Sequence, residues 1–134
     1  KDIDYVIDVG GDNVGTRVVG RFAEHFVEGE YDMFCVVNAN REQTQTAEDV
    51  IRFIKSMEET SKLKVTGLIN NTHLIRQTTV EDVLRGQKLA REVSDLTNIP
   101  IKYVSCLRSL VDSLPDNLEG DILPIDLYLR EEWM

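Results

Sequence analysis

The feature that most constrains this chain is the repeated alternation of short apolar runs with longer amphipathic segments. Three apolar runs, over residues 32–37, 64–69 and 101–106, each end at polar or turn-forming residues, as buried strands do. Between them, apolar residues recur every three or four positions, which is typical of helices. Such alternation produces βαβ units with parallel strands. The sequence therefore predicts an α/β fold with three layers, a mainly parallel sheet with helices on both faces, as a single domain over residues 1–134.

Capping residues indicate where the two intervening helices begin. Thr46 stands three residues before Asp49, and Thr78 and Thr79 are both candidate caps for the second helix. Gly86 lies inside that second helix, where glycine is unfavourable, and so indicates close packing. Elsewhere the pattern is weaker. Residues 12–30 read as largely helical, residues 107–114 as either a short helix or a loop, and Pro124 as the first turn of a final helix.

A fourth apolar run, Tyr5–Val9, breaks at Gly10-Gly11 and predicts a further buried strand. In open α/β sheets, ligands lie outside the carboxyl ends of the strands, which places Asp8 near a ligand edge. The four residues from Asp8 to Gly11 spell D-x-x-G. In P-loop nucleoside triphosphatases that pattern holds magnesium through the acid, usually by way of a water molecule, and brings a glycine amide near the terminal phosphate. An ordinary turn after a strand is the alternative interpretation.

Polar residues follow the other runs as well. Asn38 and Asn40 follow the run over residues 32–37, Asn70-Asn71 follow the run over residues 64–69, and Ser105 lies near the end of the run over residues 101–106. In a parallel sheet these positions share one edge. An asparagine amide offers an acceptor and two donors, which matches the edge of a purine. A turn-forming Asn-Asn pair is the alternative.

Composition excludes several classes of protein. The net charge of −9 argues against direct contact with nucleic acid. No apolar run is long enough to span a membrane, and no signal-peptide pattern is present. The two cysteines, Cys35 and Cys106, lack metal-ligand spacing and favour a reducing cytoplasm without a zinc site.

Four blocks of sequence together resemble the later part of the MinD/ParA-type P-loop ATPases. They are DYVIDVGGD, VVNANREQT, VTGLINNTHL and IPIKYVS. The resemblance implies binding of ATP with Mg²⁺. It implies that Asp8 lies near the metal and that Gly11, beside Gly10, acts as the switch glycine near the γ-phosphate. It also implies that Asn70 or Asn71 meets the adenine edge, and that the segment from Ser105 to Arg108 closes over the base.

The chain departs from that family in lacking G-x-x-x-x-G-K-[ST], the loop that cradles phosphate. The resemblance thus implies a C-terminal fragment whose partner is the missing N-terminal half of the domain, with a homodimer as a further candidate. ATP hydrolysis is then expected only of the intact protein. The alternative is a non-catalytic α/β interaction module. If a strand is missing between them, Tyr5–Val9 and the run ending at Val37 should not pair with each other.

Overall fold

The structure, a computed structural model, describes residues 3–10 and 13–128. The strands are β1 (Phe34–Val37), β2 (Gly67–Asn70), β3 (Ile101–Leu107) and β4 (Asp121–Ile125), and the α-helices are α1 (Asn13–Gly20), α2 (Ala47–Ser61) and α3 (Val80–Thr97). Short 3₁₀ helices cover Ala23–His25, Glu42–Thr44, Ile75–Gln77 and Arg108–Ser113. The strands form one parallel sheet in the order β1-β2-β3-β4. This confirms the α/β class, and such a sheet with helices is consistent with a three-layer fold.

The core lies between the sheet and the helices α2 and α3. Side chains of alternate strand residues, such as Cys35 and Leu68, pack there against Val50 of α2 and Val93 of α3, and all four are 0% exposed. Both connections run in the same direction along the sheet, so right-handed crossovers place both helices on one face. We call this the helix-covered face.

The opposite face of the sheet, which we call the open face, carries apolar side chains that are exposed in the described part of the chain. Strand alternation places Phe34, Val36, Ile69, Tyr103, Leu123 and Ile125 on this face. The exposed fraction of Val36 is 49%, and that of Ile125 is 40%. Phe34 and Tyr103 meet edge to face, with ring centroids 5.7 Å apart. Within residues 3–10 and 13–128, no helix combines the length and the apolar character needed to cross a bilayer.

The two long helices begin where their capping residues predict. The Thr46 side chain accepts a hydrogen bond from the backbone N–H of Asp49, 3.1 Å away. Of the two candidates for α3, Thr79 is the cap, and it forms a complete capping box with Asp82. Gly86 lies where α3 packs closely against the end of β2, because a Cβ added there would overlap the side chains of Asn70 and Thr72. The prediction of close packing at this glycine is confirmed.

The predicted strand over Tyr5–Val9 is wrong for the described residues, because residues 3–10 form neither strand nor helix. Tyr5 and Val6 are 79% and 99% exposed. A strand requires a paired neighbour, and β1 pairs only with β2 in the described part of the chain. The expectation that Tyr5–Val9 does not pair with the run ending at Val37 is therefore confirmed.

The predicted final helix beginning at Pro124 is also wrong, since Pro124 lies in β4. That strand is at the edge of the described sheet, where a residue without an N–H loses no ladder hydrogen bond on its outer side. Residues 129–134, which the helix was to include, lie outside the described residues. The segment 107–114, left open between helix and loop, forms a 3₁₀ helix over Arg108–Ser113.

Candidate functional site

The polar residues that follow the strands meet at the carboxyl edge of the sheet. The backbone N–H of Asn71, after β2, donates to the carbonyl of Val37 at the end of β1 at 2.8 Å. The backbone N–H of Ala39 donates to the Thr72 hydroxyl at 3.0 Å. The loops after β1 and β2 are thus bonded to each other, and they form a single surface at the place where parallel sheets bind ligands.

Asn70 is directed into the protein and not towards that surface. It is 0% exposed, and its amide nitrogen donates to the carbonyl of Val83 and to the side-chain oxygen of Gln87, both at 3.0 Å. Its side-chain oxygen accepts from the backbone N–H of Thr72 at 3.2 Å. Both ends of the Asn70 amide are therefore used to join β2 to α3, and neither is available to a ligand.

Asn71 and Ser105 are brought together by the pairing of β2 with β3. The Ser105 hydroxyl donates to the Asn71 side-chain oxygen at 2.6 Å. Ser105 is buried and Asn71 is half-buried. Because the Ser105 hydroxyl bonds to the oxygen end of the amide, the NH₂ end of Asn71 is the end that can donate to a ligand. This orientation suits a ligand that offers an acceptor, such as a ring nitrogen of a purine.

A charged pair follows the ends of β3 and β4. The Arg108 guanidinium donates to Asp126 at 3.1 Å, and Tyr128 donates its hydroxyl to the same carboxylate at 3.1 Å. The hydrogen bond from Arg108 is the main cause that lowers the pKa of Asp126, and the same bond raises the pKa of Arg108. The segment that the resemblance placed over the base is thus joined to the chain after β4.

Asp126 and Tyr128 were not predicted from the sequence as residues of this edge. The signal was present, because Asp126 follows the apolar run Ile122–Ile125 as Asn70 follows its own run. The interpretation of Pro124 as a helix start concealed it.

A cavity of about 280 Å³ lies between the loops that follow β1 and β2. It is lined by Asn38, Asn40, Arg41, His73, Leu74, Ile75 and Gln77. The sequence singled out Asn38 and Asn40 as edge residues, and the structure places both here together with Arg41. The contribution of Ile75 and Gln77 depends on a 3₁₀ turn that no simple sequence pattern indicates.

The residues expected to serve the metal and phosphate lie in residues 3–10 or just beyond. Asp8 is exposed, and Gly10 packs its backbone against Gly15 of α1, where an added Cβ would come within 2.9 Å of the Gly10 carbonyl. Gly11 lies outside the described residues. Among residues 3–10 and 13–128, no three His, Cys, Asp or Glu side chains cluster as metal ligands. Assignment of Asp8 to magnesium stays a prediction.

Neither cysteine has the properties of a nucleophile. Burial raises the pKa of the Cys35 thiol to about 12, and burial also raises the pKa of Cys106. Both thiols are therefore protonated near neutral pH, which argues against thiolate chemistry at this edge.

Comparison with models of protein families, with curated proteins and with solved structures found no match for this chain.

Proposed function

We propose that this chain is the base-binding part of an ATP-binding protein of the MinD/ParA-like type, with ATP and Mg²⁺ as cofactors. The observation that carries the proposal is the Asn71–Ser105 pair at the carboxyl edge, with its amide oriented by the 2.6 Å hydrogen bond. Adenine would accept from the Asn71 NH₂ group through a ring nitrogen. The Arg108–Asp126 pair would form the wall beside the base.

The phosphate end of the nucleotide has fewer candidate contacts. Asp8 would hold Mg²⁺, and magnesium commonly uses one or two protein carboxylates together with phosphate oxygens and water. A single exposed carboxylate fits that role but does not cradle the phosphates. Hydrolysis of ATP is accordingly proposed only for a protein that also supplies a phosphate-binding loop, with Asp8 and Gly11 as its contribution from this chain.

The affinity of this chain for ATP should therefore be weak. Base contacts alone resemble those of a small fragment ligand, for which a dissociation constant on the order of 1 mM, about −4 kcal/mol, is reasonable. Calorimetry with magnesium-ATP measures it. A micromolar dissociation constant, about −8 kcal/mol, would show that the chain binds the phosphates through further contacts, beyond those of the base site and Asp8.

The base site is tested by titrating the ¹⁵N-labelled chain with adenosine, which has no phosphate. We expect saturable shifts of the Asn71 side-chain amide and of backbone amides 105–107. Asn71→Ala should weaken adenosine binding roughly tenfold, the value of one lost hydrogen bond. Asn117→Ala is the matched control, because Asn117 is an exposed loop residue outside the site. Equal affinity of the wild type and Asn71→Ala would contradict the proposal.

A second function, a non-catalytic interaction module, is favoured by a different observation. The open face exposes apolar side chains such as Val36, Leu123 and Ile125, and patches of this kind mark interaction surfaces. The adenosine titration separates the two functions, since an interaction module predicts no saturable shift at Asn71.

A further inference from the structure

The cavity between the loops after β1 and β2 is lined by neither Asn71 nor Ser105. Its lining combines two apolar residues, Leu74 and Ile75, with Arg41, His73 and amide side chains. The lining contains no Asp or Glu. The Arg41 guanidinium therefore places a positive charge at this cavity, in a chain whose net charge is −9.

The loop that carries Arg41 is held in place by hydrogen bonds. The carbonyl of Asn38 accepts from the backbone N–H of Arg41 at 3.0 Å and from the Thr44 hydroxyl at 2.7 Å. Thr44 is 5% exposed, and Asn38 is 8% exposed. The Asn40 side chain then bridges to the other loop, donating to the carbonyl of His73 at 3.2 Å. The cavity walls are thus preformed.

The facing wall contains a strained residue. Ile75 has a φ of 53°, a conformation that is unfavourable for a β-branched side chain. It is maintained by local bonds. The Ile75 N–H donates to Nδ1 of His73 at 3.2 Å, and the Ile75 carbonyl accepts from the Thr78 hydroxyl at 2.7 Å. Strain that the surroundings enforce at a cavity wall is a pointer to ligand binding.

Arg41 is available to a ligand. Its side chain is exposed and has no hydrogen-bond or ion-pair partner among the described residues. The neighbouring arginine, Arg85, is by contrast engaged, since it pairs with Asp82 at 3.2 Å and contacts Asn40. A guanidinium fork matches a carboxylate or a phosphate, with which it forms two parallel hydrogen bonds.

We propose that this cavity binds a small ligand that has an oxyanion on an apolar body. The oxyanion pairs with Arg41, and the apolar body packs on Leu74 and Ile75. This ligand is a second one, distinct from the adenine base assigned to Asn71 and Ser105, so the inference does not depend on the proposed function.

The test uses the full chain, ¹⁵N-labelled, with isobutyrate and phenyl phosphate as the two oxyanion probes and isobutyramide as the neutral analogue. We expect saturable shifts of backbone amides 39–41 and 73–77, with a dissociation constant on the order of 1 mM for at least one oxyanion probe. The probe that saturates tells whether the cavity takes a carboxylate, a phosphate or both. Isobutyramide should bind at least tenfold more weakly than isobutyrate if the carboxylate is the ligand group.

Arg41→Gln should weaken binding of the oxyanion at least tenfold, and Arg52→Gln should leave it unchanged. Arg52 is a suitable control because it is an exposed arginine on α2 that does not line the cavity. Circular dichroism should show that both variants remain folded, because both side chains are exposed. The proposal is overturned if neither probe saturates, if Arg41→Gln binds as tightly as the wild type, or if only ATP shifts amides 39–41.

Discussion

Asn70 and Asn71 are adjacent and chemically identical, but the structure gives them different roles. Asn70 is buried with its amide bonded to Val83, Gln87 and Thr72, whereas Asn71 is half-buried and bonded through one oxygen to Ser105. Alternation along β2 directs the first side chain to the helix-covered face and the second to the opposite side. A residue's role at this edge therefore depends on the face of the sheet to which its position along the strand directs the side chain.

Substitution of the two asparagines should separate stability from binding. Asn70→Ala leaves buried polar groups of α3 and of the loop after β2 without partners, so we expect a loss of about 2–3 kcal/mol in the free energy of unfolding. Asn71→Ala should cost less than about 1 kcal/mol. Urea unfolding followed by circular dichroism measures both. A larger loss for Asn71→Ala than for Asn70→Ala would contradict this division of roles.

Asp82 should make stability depend on pH. The backbone N–H of Thr79 donates to its carboxylate at 2.8 Å, and this bond is the main cause that lowers the pKa of Asp82. A lowered pKa means that the ionised form stabilises the folded state above pH about 4, and that this contribution is lost as pH falls below that value.

Asp82→Asn should consequently be less stable than the wild type at pH 7, by about 1 kcal/mol for a weakened cap. The difference should shrink between pH 4 and pH 2. Thermal unfolding across this range checks the prediction, and a difference that stays constant with pH would show that the charge of Asp82 is not the cause.

At the scale of elements, the contact between α3 and β2 determines the geometry of the edge. Gly86 allows the helix to approach until Thr72 and Asn70 occupy the place of its missing side chain. On helix propensity alone, Gly86→Ala would stabilise the protein by about 1 kcal/mol. Because the added methyl group overlaps buried side chains, we expect instead a net loss of about 1–3 kcal/mol.

Gly86→Ala should also change the carboxyl edge of the sheet. Displacement of Thr72 would disturb its hydrogen bond with Ala39, so amide shifts should extend to the loop after β1. Glu92→Ala, on an exposed position of α3, is the control and should change stability by less than about 0.5 kcal/mol. A rise in the melting temperature of Gly86→Ala would refute the close contact.

Elements whose signals are local could be predicted from the sequence. The α2 and α3 starts at Thr46 and Thr79 follow from caps within four residues, and β1 to β3 follow from apolar runs with helices between them. Tyr5–Val9 has an equally apolar run, but a strand also needs a neighbour, which no local pattern supplies. Pro124 was ambiguous because a missing N–H suits both a helix start and an edge strand.

The candidate site was predictable to the same extent. Its location at the carboxyl edge followed from the parallel sheet, and Asn71 and Ser105 were both named in advance. The choice between Asn70 and Asn71 required the strand register, which places Ser105 within reach of only one of the two side chains. The cavity wall at Ile75 depends on a positive φ, which no sequence pattern at this residue indicates.

For the molecule as a whole, the contrast between the two faces of the sheet is the dominant feature. The helix-covered face holds fully buried residues such as Val37, while its neighbour Val36 points to the open face. β1 also leaves one edge unpaired among the described strands, and such edges pair readily with other chains. We therefore expect this chain to self-associate at high concentration.

Val36→Lys should reduce that self-association while changing stability by about 0.5 kcal/mol or less, because the side chain is already half-exposed. Val37→Lys is the matched control at the next residue. It places a charge in the core and should unfold the protein. Sedimentation velocity and circular dichroism report the two effects, and unchanged association of Val36→Lys would argue that the open face is not involved.

The proposed position of adenine against Asn71 and Ser105 is tested most directly by the nuclear Overhauser effect between bound adenosine and the labelled chain. We expect cross-peaks from the adenine H2 or H8 proton to the Asn71 side-chain NH₂ protons and to the protons of Ser105. We also expect these cross-peaks to disappear in Asn71→Ala and to persist in Asn117→Ala. Cross-peaks to other residues alone, or none from adenosine at saturating concentration, would contradict it.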